Sequence, residues 1–288
     1  MGEPVISIRG LRMRYGEVEA VRGIDLEVER GEVFAFLGPN GAGKTTTVEI
    51  LEGYRRRTAG EVTVLGEDPQ RAGRRWRERI GIVLQSSRPD PYLTVRESLS
   101  LFAGYYRSPR PVEEVIELVG LQDKADERAR RLSGGQQRRL DVGLALIGDP
   151  ELLFLDEPTT GFDPTARRQA WDLIAGLRDL GKTVFLTTHY MDEAQRLADR
   201  VTIIAGGRIV ARGTPADLGG RGGGETTIRF RRDGREHTLR TATPVEALHE
   251  LTGEALRTGA ELEGLEVTRP SLEDVYLRLT AQAPEGEA

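Results

Sequence analysis

The chain has no cysteine in its 288 residues, so disulfides and thiolate metal sites are excluded. That fits a reducing compartment such as the cytoplasm. Histidine is scarce, with three in the chain. Long apolar runs are missing too. Nothing approaches the roughly 18–20 consecutive apolar residues of a spanning helix, so any task at a membrane is expected to be performed from outside the bilayer. The opening "MGEPVISIRG" lacks the charged start and apolar run of a signal peptide. Ile6 stands where a myristoylation pattern wants Ser or Thr. There is no excess of positive charge either: the net charge is −5, which argues against a dedicated nucleic-acid binder. The one local cluster of arginines, "RAGRRWRER", reads as a solvated helix face. What remains is 38% hydrophobic and 30% charged. That composition suits a globular chain with one large domain, or a domain and a smaller companion.

The first 30 or so residues alternate apolar and polar side chains in "VISIRGLRMRY" and "IDLEVE", the mark of a half-buried antiparallel sheet. "EVFAFLG" then runs into a Gly-rich turn and a helical pattern, the layout of an α/β nucleotide site. "RIGIVLQ", "ELLFLDEP" and "KTVFLTTH" are further buried strands, and helical patterns separate them. Apolar strands alternating with helices predict an α/β fold with a mostly parallel central sheet covered on both faces. An α-helical insertion is expected over about 88–140. "RVTIIAGGRIVARG" reads as a hairpin turning at Gly-Gly. The expected nucleotide-binding domain spans 1–218, and the Gly-rich 219–224 reads as a flexible linker. A small α+β domain at 225–280 follows, with a hairpin at Asp233-Gly234, and a disordered tail at 281–288.

The segment Gly38, Pro39, Asn40, Gly41, Ala42, Gly43, Lys44, Thr45 fits G-x-x-x-x-G-K-T, with Thr46 next. Glycines let backbone N–H groups wrap a phosphate at a helix N-terminus. Lys44 is placed to reach the β- and γ-phosphates, and Thr45 to ligand Mg²⁺. Asp156 ends the apolar run "LLFLDE", where P-loop proteins place a carboxylate for Mg²⁺. Glu157 follows and can point at a water attacking the γ-phosphate, a general-base role worth about 10²–10⁴ in rate. His189 closes "TVFLTTH" at the strand edge where ligands bind in open sheets. Gln85 closes "GIVLQ", where a neutral amide can orient water or touch Mg²⁺; packing competes equally as a reading there. Tyr15 in "RMRYGEVEA" is expected to be exposed enough to stack an adenine.

A second phosphate cradle follows about 90 residues later, in "RRLSGGQQRRL". Ser133, Gly134 and Gly135 open a predicted helix whose N-terminus favours an anion. Ser133 with Gln136 also spells a capping box, a purely local reading. The capping box leaves the two adjacent glycines unexplained. A helical insertion separates this cradle from the chain's own P-loop. The economical arrangement is a symmetric dimer, each copy's Ser133 region closing on the other's nucleotide.

In their order, these motifs resemble the ATP-binding cassette ATPases. "GPNGAGKTT" is similar to Walker A, "LLFLDEP" to Walker B and "LSGGQ" to the signature. Gln85 matches the Q-loop, His189 the switch histidine, Tyr15 the adenine-stacking aromatic and "TTGFD" with Asp163 the D-loop. The resemblance covers roughly residues 5–215. It implies ATP and Mg²⁺ as cofactors and a homodimer around two Mg-ATP. Lys44 and Thr45 with Asp156 would hold Mg-ATP, Glu157 would polarise water, and His189 would sense the γ-phosphate. Ser133 and Gly135 would clamp the opposite ATP. Gln85 and the helical insertion would touch a separate integral-membrane permease at the cytoplasmic face of the membrane. "LQSSRPDPYLTVRESL" and "RPSLEDVYLRLT" resemble subunits of ABC-2-type exporters of the daunorubicin-resistance kind, which implies drug or antibiotic efflux. Transport of lipid, polysaccharide or ion is the alternative within the family. A soluble ATPase acting on ribosomes or nucleic acid is the alternative outside transport, disfavoured by the single cassette and the net charge. A non-hydrolysing regulatory module is disfavoured because Lys44, Glu157 and His189 are all in place.

Overall fold

A computed structural model describes residues 3–85, 89–221, 225–232, 234–268 and 271–281. Near the N-terminus, β1 (Ile6–Tyr15) runs antiparallel between β2 (Val18–Val28) and β4 (Ala59–Val64). Ile6 and Ile8 follow the period-two alternation into the core. The register then shifts between Ile8 and Leu11, so Leu11 is buried as well. Gly10 supplies the left-handed residue at that shift, with φ of 58°. "IDLEVE" is thus the second half of a longer strand that begins at Val18.

The central sheet has the order β5 (Ile80–Val83), β6 (Leu152–Asp156), β7 (Thr183–Thr188), β3 (Val33–Leu37), β8 (Arg200–Ala205), β9 (Arg208–Gly213). All neighbours are parallel except β8 and β9, the hairpin expected at Gly206-Gly207. β3 and β7 are buried at every position, as continuous apolar strands covered on both faces require. After β3 comes α1 (Lys44–Leu51). The short α2 (Arg74–Arg77) carries the arginine cluster, with Arg74, Arg75 and Arg77 exposed. Its anchor is Trp76, which is fully buried and donates its indole N–H to the Val64 carbonyl at 2.8 Å.

Between β5 and β6 lie α3 (Val95–Ala103), α4 (Val112–Leu118) and α5 (Gly134–Leu146). They share a core of their own that includes Val95, Leu99, Val115, Ile116 and Leu140. Thr94 caps α3 in a capping box with Glu97. The expected end of the helical insertion at 140 falls inside α5. The first half of that helix packs on the insertion. Its second half, with Val142, Ala145 and Leu146, packs on the central sheet. Beyond β6 run α6 (Pro164–Asp179) and, after β7, α7 (Met191–Leu197).

The C-terminal part forms a three-stranded antiparallel sheet of β10 (Thr226–Arg232), β11 (Arg235–Thr241) and β12 (Glu263–Thr268), with β10 in the middle. α8 (Pro244–Thr258) precedes β12. Asp233, half of the expected hairpin turn, lies outside the described residues, as do 222–224 of the expected linker and 282–288 of the expected tail. Two expectations change here. The Gly-rich stretch begins in a helical turn, Asp217–Arg221, tied by the Thr214 hydroxyl donating to the Asp217 carboxylate at 2.6 Å. And α9 (Leu272–Ala281), expected within the small α+β domain at 225–280, packs on the cassette. Leu272 is fully buried among Ala35, Leu37, Met191, Ala194, Val201 and Ile203, with Leu218, Tyr276 and Leu279 beside it. The reason is apolar area: the β3–β8 face beside α7 needs a cover, and α9 carries the apolar stripe that fits it.

That packing predicts a stability effect. Leu272→Ala should destabilise the chain by about 2–5 kcal/mol, the usual cost of a large-to-small change in a packed core. Thermal unfolding of the whole protein checks it. An unchanged main transition would mean that α9 is a separate appendage.

Candidate active site

β3 delivers the chain into the loop 38–43, and α1 begins at Lys44. Two glycines of this loop are demanded by space. A Cβ at Gly38 would lie 2.3 Å from the Ile204 carbonyl oxygen, and one at Gly43 2.6 Å from that of Ala20. Gly41 and Gly43 also have φ of 78° and 101°, which favours glycine. Gly207 N–H donates to the Ala42 carbonyl at 3.1 Å, tying the loop to the β8–β9 turn. The Lys44 ammonium donates to the carbonyls of Gly38 and Pro39 at 2.6 and 3.0 Å. Burial lowers its pKa, and the carboxylates of Glu157 and Asp156 oppose that shift.

A cleft of about 760 Å³ opens above the loop. Gly38, Pro39, Asn40, Gly41, Gly43, Lys44, Thr45 and Thr46 line one wall; Gln85, Asp156, Glu157, Thr160 and His189 line the other. Two strand ends and one turn converge on the Glu157 carboxylate. Gln85, after β5, donates its amide N–H to Oε2 at 3.0 Å. His189, after β7, places Nδ1 3.3 Å from Oε1. The Thr160 hydroxyl donates to Oε2 at 3.1 Å. Glu157 itself has φ of 45°. A non-glycine residue in that region stores about 1–3 kcal/mol of strain and persists only where its surroundings hold it. One hold is its backbone N–H, which donates to the Thr187 carbonyl at 3.0 Å. Thr187 also donates its hydroxyl to the Asp156 carboxylate.

Thr45, Gln85 and Asp156 all face this cleft. They offer oxygen donors with a single carboxylate, and no group of three or more His, Cys, Asp or Glu among the described residues is arranged to hold a metal ion by itself. Such a set fits Mg²⁺, which binds through one or two carboxylates plus substrate phosphates and water. Tyr15 sits outside this lining. Its hydroxyl is 3.3 Å from that of Thr46, the residue is 41% exposed, and the Arg55 guanidinium lies 5.1 Å from its ring centroid.

Ser133, Gly134, Gly135, Gln136 and Asp163 do not line this cleft. The capping box forms: Ser133 Oγ accepts from Gln136 N–H at 3.3 Å, and Ser133 N–H donates to Gln136 Oε1 at 2.9 Å. One of the two unexplained glycines now has a local cause. A Cβ on Gly135 would lie 3.3 Å from the Ala166 Cβ of α6, whereas one on Gly134 would meet nothing within 4 Å. Asp163 caps α6, its Oδ1 accepting from Thr165 N–H and Ala166 N–H at 2.8 and 2.9 Å. Three residues at the site escaped the sequence reading: Thr160, Thr187 and Arg138. Thr187 left a trace, being one of the two threonines that end β7 directly before His189.

Comparison with known proteins identifies the family. A family model described as "ABC transporter" matches residues 21–160. The Nod factor export ATP-binding protein I of Ralstonia nicotianae is 39% identical, over 97% of this chain and 94% of that protein. The chain belongs to the ABC transporter ATPases. The daunorubicin resistance ATP-binding protein DrrA3 of Streptomyces coeruleorubidus is 37% identical, over 97% of each chain. Among solved structures, cbiO1 from Clostridium perfringens, part of the ABC transporter complex cbiONQ, superposes with a TM-score of 0.68. It is 28% identical, over 75% of this chain and 91% of that one. An ATP-binding cassette in a dimeric post-hydrolysis state, bound to ADP and Pi, superposes at 0.64 with 25% identity, over 73% of this chain and 98% of that one. This ABC ATPase therefore binds adenine nucleotide and hydrolyses ATP. No helix among its described residues is long and apolar enough to cross a membrane.

One buried acid of the ABC cassette stands apart from the cleft. Glu52, at the C-terminal end of α1, is 5% exposed, and its Oε1 has no hydrogen-bond partner. Burial, then the Asp156 and Glu49 carboxylates, push its pKa from 4.5 up to about 8. Between those values the folded chain holds a proton that the unfolded chain has released. Stability should therefore fall as pH rises from 4.5 to 8 and then level off. The slope in that window is about 1.4 kcal/mol per pH unit for one proton. Glu52→Gln should make this slope shallower and raise the thermal midpoint at pH 8. Thermal unfolding of both proteins across that range checks it.

Proposed function

We propose that this chain is the ATP-hydrolysing subunit of a two-component exporter, working as a homodimer on the cytoplasmic face of a membrane beside a separate integral-membrane permease. The convergence of Gln85, His189 and Thr160 on the Glu157 carboxylate carries the catalytic part of this reading. Glu157 polarises the attacking water and takes its proton. Gln85 and His189 orient that carboxylate and the γ-phosphate region. Lys44 leaves its loop carbonyls for the β- and γ-phosphates. Gly38 to Thr46 wrap the phosphates with main-chain N–H groups. Tyr15 stacks the adenine at the rim. Thr45, Asp156 and Gln85 hold Mg²⁺, which neutralises charge on the phosphates when bound.

Ser133, Gly134, Gly135 and Gln136 contact the nucleotide of the second copy, and Asp163 lies at the dimer seam. Exposed Gly134 leaves room for that approach. The cassette and its helical insertion form the motor; β10 to β12 with α8 form an accessory domain, and α9 joins the two. Export is supported by whole-length similarity to proteins named for export or drug resistance. Drug or antibiotic efflux is the favoured cargo. A Nod-factor-type cargo is the second reading, because relatives named for it reach 40% identity over 96–99% of this chain.

Glu157→Gln should keep ATP binding and lose hydrolysis by at least 100-fold, read as steady-state ATPase. A rate within threefold of wild type would remove Glu157 from the role of base. The same variant should dimerise with Mg-ATP by light scattering, and Ser133→Arg added to it should keep it monomeric. Affinity capture of tagged Glu157→Gln from membranes of the native host, with Mg-ATP present, should bring down a polytopic membrane protein in equal amount. Recovery of ribosomes or nucleic acid in its place would overturn the transport reading and leave the ATPase chemistry standing.

A further inference from the structure

Arg138 lies on α5, five positions after Ser133, and is buried. Its guanidinium spreads over three main-chain carbonyls, none of them in its own helix. Nη1 donates to Leu84 at 2.5 Å, Nη2 to Asp156 at 2.9 Å and Nε to Pro158 at 3.2 Å. Leu84 immediately precedes Gln85. Asp156 and Pro158 bracket Glu157. One side chain thus grips the peptides next to both groups that face each other across 3.0 Å in the cleft.

The chemistry of the side chain suits this task. A guanidinium is a rigid planar fork with five donors, so it fixes its acceptors relative to one another. An ammonium in its place is a point charge on a flexible stem. Burial lowers the pKa of Arg138, while the carboxylates of Asp141, Asp156 and Glu193 favour the cation. Asp141, one turn along α5, has a carboxylate oxygen 3.8 Å from Nη1. The peptides being gripped are also the ones that need a grip, because Glu157 has φ of 45°. A strained residue keeps its conformation only when the atoms on both sides of it are held.

We infer that Arg138 is a positioning residue for hydrolysis, holding Gln85 and Glu157 in register with the helix that opens at Ser133. The inference rests on the roles proposed above for Gln85 and Glu157. It adds a route between the two cradles. A shift of α5 when Ser133 meets the nucleotide of a second copy reaches the chain's own Glu157 through this one guanidinium.

The test is steady-state ATPase on the full-length Arg138→Met, Arg138→Lys, Glu157→Gln and Glu157→Gln/Arg138→Met proteins. Arg138→Met should lower kcat at least 20-fold while KM for ATP stays within threefold of wild type. Arg138→Lys should fall between the two, because it keeps the charge and loses the fork. The double variant should be no slower than Glu157→Gln alone. A kcat within threefold of wild type in Arg138→Met would overturn the inference, and so would a rise in KM matching the fall in kcat, the signature of a general structural staple. Should Arg138→Met fail to fold, Arg138→Lys decides, and a kcat within twofold of wild type overturns the inference. An active Glu157→Gln would reject the base assignment itself and the inference with it. An inactive Glu157→Gln beside a fully active Arg138→Met would reject the inference alone.

Discussion

The parallel pairing of β6 with β7, and of β7 with β3, is the constraint from which the active site follows. Parallel register sets Asp156 opposite Thr187 and Leu37 opposite Thr188. All three strands therefore end at one edge, and whatever residue follows each of them meets the others. The loop after β3 is the glycine loop 38–43, the residue after β6 is Glu157, and the residue after β7 is His189. β5, paired with β6 from the far side, adds Gln85. Their meeting requires no long-range side-chain search. It follows from which strands are neighbours in the sheet.

The polar groups at that edge are held by the main chain as much as by one another. Lys44 rests on two carbonyls of its own loop, Thr187 steadies Asp156 and receives the N–H of Glu157, and Arg138 binds three carbonyls. Burying such groups without partners would be costly, which is why a site this polar sits on a scaffold this apolar. Gln85 and His189 hold the Glu157 carboxylate from two sides, so its direction is set by the scaffold.

The fold was largely legible in the residues because each element obeyed a local rule. Continuous apolar runs became parallel strands, the Gly-Gly turn became the β8–β9 hairpin, and Ser133 with Gln136 formed its capping box. The departures came where a local pattern had two uses. α5 has apolar residues enough for two cores, so it crosses the boundary expected near residue 140. α9 looks in sequence like the last helix of a small domain, yet its apolar stripe covers the β3–β8 face. Periodicity says that a helix has an apolar face and is silent about what that face touches.

The candidate site divides along the same line. The spacing of glycines, Lys44 and Thr45, and the position of Asp156, Glu157 and His189 at the ends of apolar strands, come from the order of residues alone, because backbone geometry at a strand end or helix start is a short-range matter. The order of residues also carried the capping box of Ser133 with Gln136. Arg138 and Glu52 belong to the other category. An arginine in a helix and a glutamate at a helix end are ordinary on paper. Only packing decided that one would be enclosed by the carbonyls beside Gln85 and Glu157, and that the other would be shut from water with an oxygen unpartnered. Burial depends on elements far apart in the chain, and the charge of a side chain has consequences only once its surroundings are known.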